Sequence, residues 1–256
     1  YALFLGCTIP LKMPHFEYLA KNAGIRRAEG EFVLATNPDL IFSQELMRFI
    51  SRGGLKKGCF YRTNRYDLAY PVPIQLSLDE KLAFCRRNTF RVHRHQETVN
   101  LYPNRRMIDW LKGLKNRWGY ERGRELKQMT ITNMDDVHTY ASGDFLLMAK
   151  DAWFELHGYP DIFTHSHIDS IMCWAAASLP LKQVVMTRPM CIYHQEHDRS
   201  AHEQRPLTEF RPWKERIQNA LRAEQPLIYN DEDWGLAGEE LEEHVMVGSN
   251  RIIENE

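Results

Sequence analysis

A carboxylate at the end of a predicted strand is the first feature of this chain that could carry chemistry. Asp39 follows Asn37-Pro38, a turn signal that ends the apolar run from Glu31 to Ala35. In α/β sheets, ligands bind in the crevice at the carboxyl ends of the strands. Mg²⁺ or Mn²⁺ is commonly held there by one or two carboxylates together with substrate phosphates. Taken alone, however, Asn-Pro-Asp is better explained as turn chemistry.

A second carboxylate, Asp169, lies at the start of a helix predicted from about Ile168 to Ser178. There the helix dipole and the free backbone N–H groups favour a negative charge. Asp169 is therefore either a simple helix cap or a general base that removes a proton from an acceptor hydroxyl.

The third candidate group is a set of five histidines in one third of the chain: His165, His167, His194, His197 and His202. The HxxH spacing of His194 and His197 is a weak zinc signal, because a zinc site needs further ligands at a fixed spacing. One of these histidines would suit Mn²⁺ as a ligand beside Asp39. A histidine-rich surface loop explains the same residues without a metal.

Arginines are concentrated in the middle of the chain: Arg86, Arg87, Arg91, Arg94, Arg105, Arg106 and Arg117. They could pair with phosphate or an anionic sugar, or they could form a solvated face. The formal net charge of the 256 residues is −1, and nucleic-acid binding requires a concentrated basic surface. The composition therefore predicts no nucleic-acid partner.

The remaining composition is that of an ordinary globular protein, with 43% hydrophobic and 26% charged residues. No apolar run approaches the roughly 20 residues of a membrane helix, which predicts no transmembrane segment. The five cysteines are scattered and contain no CxxC pair. They indicate reduced thiols, several of them buried, and hence a cytoplasmic protein, with a membrane-peripheral location left open.

Local patterns predict alternating helices and strands, which favour a mixed α/β sheet covered by helices in one domain, residues 1–256. Helices are predicted at 16–27, 43–51, 77–87, 151–157, 168–178 and 212–223. Strands are predicted at 31–35, 58–68, 141–149, 182–187 and 191–194. Residues 91–127 form a basic excursion, either a solvated loop with a short helix at 105–114 or a substrate-covering lid. A helical and acidic tail begins at about residue 205.

Several of these segments resemble the family-two glycosyltransferases of the GT-A fold. The family pattern is roughly RN-x-G-x-x-x-A-x-G-E-x-[IVL] leading into D-x-D, and the matching residues here run from Asn22 to Leu34 and then from Asn37 to Asp39. The second half matches in the family's order at Gly143 to Met148, Trp153, Gly158-Tyr159-Pro160, Asp169 and Tyr193-His194. The resemblance covers most of the chain between Lys21 and His197.

This resemblance implies metal-assisted, inverting transfer of a hexose from a nucleotide-diphospho-sugar donor to a glycan, lipid or other hydroxyl acceptor. It implies that Mn²⁺ or Mg²⁺ is bound by Asp39 and His194, and that Asp169 is the catalytic base. The donor diphosphate would be bound by Asn37, Asp39 and Arg26. The acceptor side would be formed by Gly143, Asp144 and Tyr159.

The chain departs from the family pattern at three points. The first acid of D-x-D is Asn37, a weaker neutral ligand, and Ile168-Asp169 supplies one acid where many relatives have two. The early strands that bind the nucleotide base in this family do not precede these motifs. The apolar start, Tyr1 to Gly6, is typical of a strand entered midway. We therefore expect an N-terminally truncated fragment that enters the fold at about its third strand.

Two other functions are compatible with the same residues. A metal-dependent hydrolase would bring His165, His167, His194 and His197 onto one ion without Asp39. A non-catalytic glycan-binding protein would keep the fold without turnover. The transferase hypothesis differs from both, because it predicts Asp39 and His194 close together in one cleft, with Asp169 opposite.

Overall fold

The structure, a computed structural model, describes residues 17–95, 97–101, 126–129, 131, 133–161, 167–195 and 211–242. Several predicted features lie outside these residues: the strand at the start of the chain, the helix at 105–114, Arg105, Arg106, Arg117, His165, His197 and His202.

The described residues form six α-helices and ten strands. The helices are α1 (Glu17–Arg27), α2 (Gln44–Ser51), α3 (Leu78–Asn88), α4 (Lys150–Glu155), α5 (Ile168–Ser178) and α6 (Arg211–Ala223). The strands are β1 (Phe32–Thr36), β2 (Leu40–Phe42), β3 (Cys59–Thr63), β4 (Arg65–Leu68), β5 (Thr89–Arg94), β6 (Glu97–Asn100), β7 (Leu126–Met129), β8 (Phe145–Ala149), β9 (Lys182–Met186) and β10 (Ile192–His194). Two short 3₁₀ turns are Met134–Asp136 and Ser142–Asp144.

The strands form two mixed sheets of five. The first sheet has the order β1-β8-β3-β9-β7, and the second has the order β2-β10-β4-β5-β6. In each sheet one pair is parallel, β3 with β9 and β4 with β10, and the other pairs are antiparallel. The prediction of a mixed α/β chain is confirmed. The prediction of one central sheet is wrong, because the strands divide between two.

Three hydrophobic clusters hold these layers together. One lies between the first sheet and helices α1, α4, α5 and α6, with Phe60, Trp153 and Ile171 among its buried members. Another lies on the opposite face of the first sheet and includes Leu46 from α2. The third joins the second sheet to α3 through residues such as Leu82. Helices on both faces of the first sheet bury every residue of β3 and β8.

The division of the strand predicted at 58–68 is the main difference from expectation. β3 pairs with β9 up to Thr63, and β4 pairs with β10 from Arg65 onward. Between the two partner strands the chain has five residues, 187–191, but between β3 and β4 it has only Asn64. The two ladders therefore cannot continue in one plane. Asn64 spans the break, because its N–H donates to Met186 and its carbonyl accepts from Ile192.

The strand predicted at 141–149 also begins later than expected, at Phe145. Ala141 has a left-handed backbone, with φ of 51°. The carbonyls of residues 138 and 140–142 accept hydrogen bonds from the Arg62 guanidinium. Because these carbonyls turn toward an arginine, they are not available for a strand ladder.

The start of the basic excursion predicted at 91–127 belongs to the second sheet. Strands β5 and β6 form a hairpin, in which Val92 and Val99 face each other and are both buried. Arginine and histidine on the alternate positions hide this pattern in the sequence. The prediction of an irregular excursion from residue 91 is therefore wrong up to Asn100.

Two predicted helix starts are confirmed in detail. Ser43 caps α2 through its hydroxyl, and Ser77 and Glu80 form a reciprocal capping box on α3. Cys59, Cys85, Cys173 and Cys191 are free and buried, as expected. Among the described residues, no helix combines the length and hydrophobicity needed to cross a membrane.

Candidate functional site

Three of the predicted site residues, Asn37, Asp39 and His194, lie along the line where the chain passes from one sheet to the other. We call this line the seam and define it by its three connections: residues 37–39 between β1 and β2, Asn64 between β3 and β4, and residues 187–191 between β9 and β10. Residues far apart in the sequence meet there, because the three strands that the connections enter, β2, β10 and β4, are neighbours in the second sheet.

Asp39 and His194 are in direct contact at the seam. Strand β10 pairs with β2, where His194 lies opposite Leu40, the residue after Asp39. His194 Nε2 is 3.1 Å from Asp39 Oδ2, and the imidazole is 5% exposed. The expectation that these two residues lie close together is therefore confirmed.

The spacing of this pair fits two neighbouring ligands of one ion. Mg²⁺ has octahedral coordination with ligands at about 2.0–2.1 Å, so adjacent ligands are roughly 3 Å apart. Within the described residues, however, no group of three or more His, Cys, Asp or Glu side chains is arranged to bind a metal. The residues present fit a site that is completed by substrate phosphates and water, and they do not fit a closed structural site.

The amide of Asn37 is engaged on both sides. Its oxygen accepts a hydrogen bond from Lys21 Nζ at 2.7 Å, and its nitrogen donates to Asp144 Oδ1 at 2.9 Å. Lys21 also donates to the Gly143 carbonyl and pairs with Glu17. Asn37 thus connects the seam to the acceptor-side residues, and its predicted contact with the donor diphosphate stays a prediction.

Gly143 and Asp169 lie together on the predicted acceptor side. A Cβ placed on Gly143 would lie 3.3 Å from Asp169 Oδ2 and 3.7 Å from Asn37 Nδ2. Asp169 is in the first turn of α5, where its other oxygen accepts a hydrogen bond from the Ser170 N–H. The absence of a side chain at residue 143 therefore keeps a small space open between Asn37 and the candidate base.

Tyr159 is predicted on the acceptor side, but the structure places it in the core. Its side chain is fully buried, and its ring packs against Tyr18 at 5.2 Å and Trp153 at 5.4 Å between centroids. Burial raises the pKa of Tyr159 well above its ordinary value. The acceptor role would require the acceptor to reach a fully buried phenol, so we assign Tyr159 a supporting position beneath the site.

Arg26, predicted to bind the donor diphosphate, contacts the C-terminal segment. Its guanidinium donates to the carbonyls of Glu232 and Trp234, and it stacks on the Trp234 ring at 5.1 Å. The neighbouring Arg27 donates to the carbonyls of Gly235, Leu236 and Glu239. These bonds attach α1 to the segment after α6, and the diphosphate role of Arg26 stays a prediction.

A buried ionic network, which the sequence did not indicate, links the two sides of the site. Arg65 Nη1 is 2.8 Å from Asp144 Oδ2, and Arg65 Nε is 2.8 Å from Asp67 Oδ1. Asp67 is completely buried and also accepts from Arg91 Nε at 2.6 Å and contacts His93 at 3.0 Å. His194 Nδ1 lies 3.5 Å from the same carboxylate.

The network keeps Asp67 ionised despite its burial. Burial alone would raise the pKa of this carboxyl, but the hydrogen bonds with His93 and Arg91 and the charge of Arg65 hold its pKa well below the usual range. The only sequence signal was a pair of alternating charges, Arg65 and Asp67, in a predicted strand. Such alternation is also typical of a solvated strand face, so it did not identify the network.

Arg62 is a second residue that the sequence did not indicate. It is fully buried, and its guanidinium donates to four backbone carbonyls of residues 138–142. This loop leads directly into Gly143 and Asp144. Arg62 therefore fixes the shape of the loop that leads into these two predicted acceptor-side residues.

The comparisons with known proteins identify no family for this chain: no family model matches it, and no curated protein matches it.

Proposed function

We propose that this protein is a metal-assisted, inverting glycosyltransferase that uses a nucleotide-diphospho-sugar donor and a hydroxyl acceptor. The observation that carries the proposal is the convergence of the predicted motifs at the seam. Asp39 contacts His194, Asn37 contacts Asp144, and Gly143 adjoins Asp169. The first two of these contacts join residues more than 100 positions apart in the sequence, so their agreement with the expected grouping is informative.

In this proposal the two sides of the seam have different tasks. Asp39 and His194 would bind Mn²⁺ or Mg²⁺, which neutralises charge on the donor diphosphate as it leaves. Asp169 accepts the proton of the acceptor hydroxyl as that oxygen attacks the anomeric carbon. Asn37 and Asp144 are hydrogen-bonded to each other and hold the acceptor-side loop against the donor side.

The contacts of His194 favour this proposal over the hydrolase alternative. That alternative requires His194 to join a histidine cluster without Asp39. In the structure both imidazole nitrogens of His194 face carboxylates, Nε2 toward Asp39 and Nδ1 toward Asp67. This arrangement supports a mixed carboxylate–histidine site. The glycan-binding alternative has the same geometry and is distinguished by turnover.

Replacing Asp169 with asparagine tests turnover directly. A screen of nucleotide sugars with Mn²⁺ first identifies the donor, and initial rates of transfer are then compared. Asp169→Asn should lower kcat by about 10²–10³-fold with little change in donor affinity, because a general base contributes on this scale. If the protein only binds glycans, no transfer is found with the wild type and the substitution changes nothing.

The matched control for this experiment is Asp79→Asn. Asp79 is the second residue of α3, as Asp169 is of α5, and both helices have 11 residues. Both substitutions therefore remove the same favourable interaction with a helix dipole, about 0.3–1 kcal/mol. Equal losses of activity in the two variants would contradict the role of Asp169 as a base.

A methyl group at residue 143 should impair transfer more than folding. In Gly143→Ala the new Cβ lies 3.3 Å from Asp169 Oδ2, a tight contact that neighbouring side chains can relieve by small shifts. We expect a stability loss of about 1–2 kcal/mol and a rate loss of about tenfold or more, because small misplacements of reacting groups are costly. Urea unfolding and initial rates measure the two effects.

Gly58→Ala is the control, because a Cβ there has no neighbour within 4 Å among the described residues. Gly58→Ala should leave both the free energy of unfolding and the transfer rate close to those of the wild type. A Gly143→Ala variant with the full transfer rate would show that the space beside Asp169 is not used by the acceptor.

A further inference from the structure

Asp67, Arg91 and His194 lie in one row across three neighbouring strands. Asp67 is the register partner of Arg91 on β5 and of His194 on β10. The next strand, β2, places Leu40 opposite His194, with Asp39 directly before it. The row therefore reads arginine, aspartate, histidine across β5, β4 and β10, and Asp39 lies beside its histidine end. Cross-strand neighbours of this kind are fixed by the backbone ladder.

In this row His194 is placed like a metal-binding histidine whose second ring nitrogen is held by a carboxylate, that of Asp67. A histidine that binds a metal through one ring nitrogen almost always directs the other toward a carboxylate, carbonyl or water, which fixes the orientation of the ring. Here Nε2 faces Asp39 at 3.1 Å, and Nδ1 faces Asp67 at 3.5 Å. Asp67 in turn is held by Arg65, Arg91 and His93.

We propose that Asp67 is the positioning residue of the metal site, which holds His194 so that Nε2 faces the ion beside Asp39. This inference rests on the proposed function, because it concerns the same site. It adds a residue that lies outside the resembling motifs. Asp67 itself is completely buried and already surrounded by cations, so it acts through His194 and does not bind the metal.

The proposal is tested with Mn²⁺ alone, on the full chain. The affinity is measured from the loss of the free-ion electron paramagnetic resonance signal, and the ¹⁴N modulation in the spin echo of bound Mn²⁺ reports histidine ligation. Asp67→Asn should weaken Mn²⁺ binding by about 10–100-fold, the scale expected for loss of a supporting partner. The ¹⁴N modulation should diminish, and His194→Ala should show the same loss.

Arg91→Gln is the matched control. It also removes one member of the ion pairs around Asp67, but on the side opposite His194. Its Mn²⁺ affinity should stay within about threefold of the wild type, well short of the loss expected for Asp67→Asn. If Asp67→Asn binds Mn²⁺ as Arg91→Gln does, with the same ¹⁴N modulation, the positioning role is wrong although the metal site stands. A wild type that shows no ¹⁴N modulation would instead refute the metal site itself.

A second measurement does not depend on whether Asp67→Asn folds. In the wild type loaded with Zn²⁺ as a diamagnetic substitute, long-range ¹H–¹⁵N spectra distinguish the two ring nitrogens of His194. The expected result is a metal-bound Nε2 and a protonated Nδ1 facing Asp67. Metal binding through Nδ1 would overturn the proposal.

Discussion

Replacing Asp39 with alanine should reduce Mn²⁺-dependent sugar transfer by about 10⁴-fold, or to below detection. The metal is expected to supply several kcal/mol of charge stabilisation at the leaving diphosphate, and each 1.36 kcal/mol corresponds to about a tenfold change in rate. Without Asp39, His194 would be the only side chain of the pair left to bind the ion. The measurement is the initial rate with the best donor from the nucleotide-sugar screen, over a range of Mn²⁺ concentrations.

The fold should survive this substitution, because the Asp39 side chain is 28% exposed. Circular dichroism and urea unfolding establish this before rates are compared. Asp151→Ala is the control, since Asp151 is a strongly exposed carboxylate that pairs only with the exposed Lys57 in the described part of the chain. Such pairs contribute about 0–1 kcal/mol. Full Mn²⁺-dependent activity in folded Asp39→Ala would remove the metal assignment.

The second large effect is expected on stability, at Gly158. Its φ is +70°, and a Cβ there would lie 2.4 Å from Asn22 Oδ1 and 2.7 Å from the Trp234 ring. A left-handed backbone costs an ordinary residue about 1–3 kcal/mol, and overpacking costs about 1–3 kcal/mol more. Gly158→Ala should therefore lose roughly 2–6 kcal/mol in the free energy of unfolding, measured by urea denaturation.

The contact partner of Gly158 explains why this cost cannot be relieved easily. Asn22 is 1% exposed, and its amide donates to the Tyr159 carbonyl and accepts from the Tyr159 N–H. Moving Asn22 to accommodate a methyl group would break two buried hydrogen bonds. Leaving a buried hydrogen-bond donor or acceptor without its partner costs about 1–3 kcal/mol of stability.

Gly24→Ala is the control, and its effect on stability should have the opposite sign. Gly24 belongs to the same motif as Asn22. Gly24 lies inside α1, and no described atom lies within 4 Å of its Cβ position. Alanine there should stabilise the protein by about 0.5–1 kcal/mol, because glycine is a poor residue in a helix interior. A loss of less than about 1 kcal/mol in Gly158→Ala would show that Asn22 and Trp234 rearrange freely.

Local signals in the sequence predicted the helices well. Ser77 and Glu80 identified the start of α3, and the limits of α5 agree with the prediction. The start of α3 and the limits of α5 both depend on hydrogen bonds and on the spacing of apolar residues within about a dozen positions. The Asp39–His194 contact was also expected, but from the resemblance to a family and not from local pattern.

The division into two sheets was not predictable from the same signals. Whether the chain bends at Asn64 depends on β9 and β10, which lie more than 100 residues away. The role of Asp67 was hidden for a similar reason. Its partners Arg91 and His194 come from two other strands, and their register is set by pairing and not by spacing in the sequence.

The attachment of α1 to the segment after α6 has a consequence for synthesis of the protein. The hydrogen bonds of Arg26 and Arg27 reach carbonyls 206 to 212 residues further along the chain. During translation, these bonds can form only after residues 232–239 have left the ribosome. Until then the helix that supplies Lys21 to the site lacks this support, so the site is completed only after residues 232–239 have been synthesised.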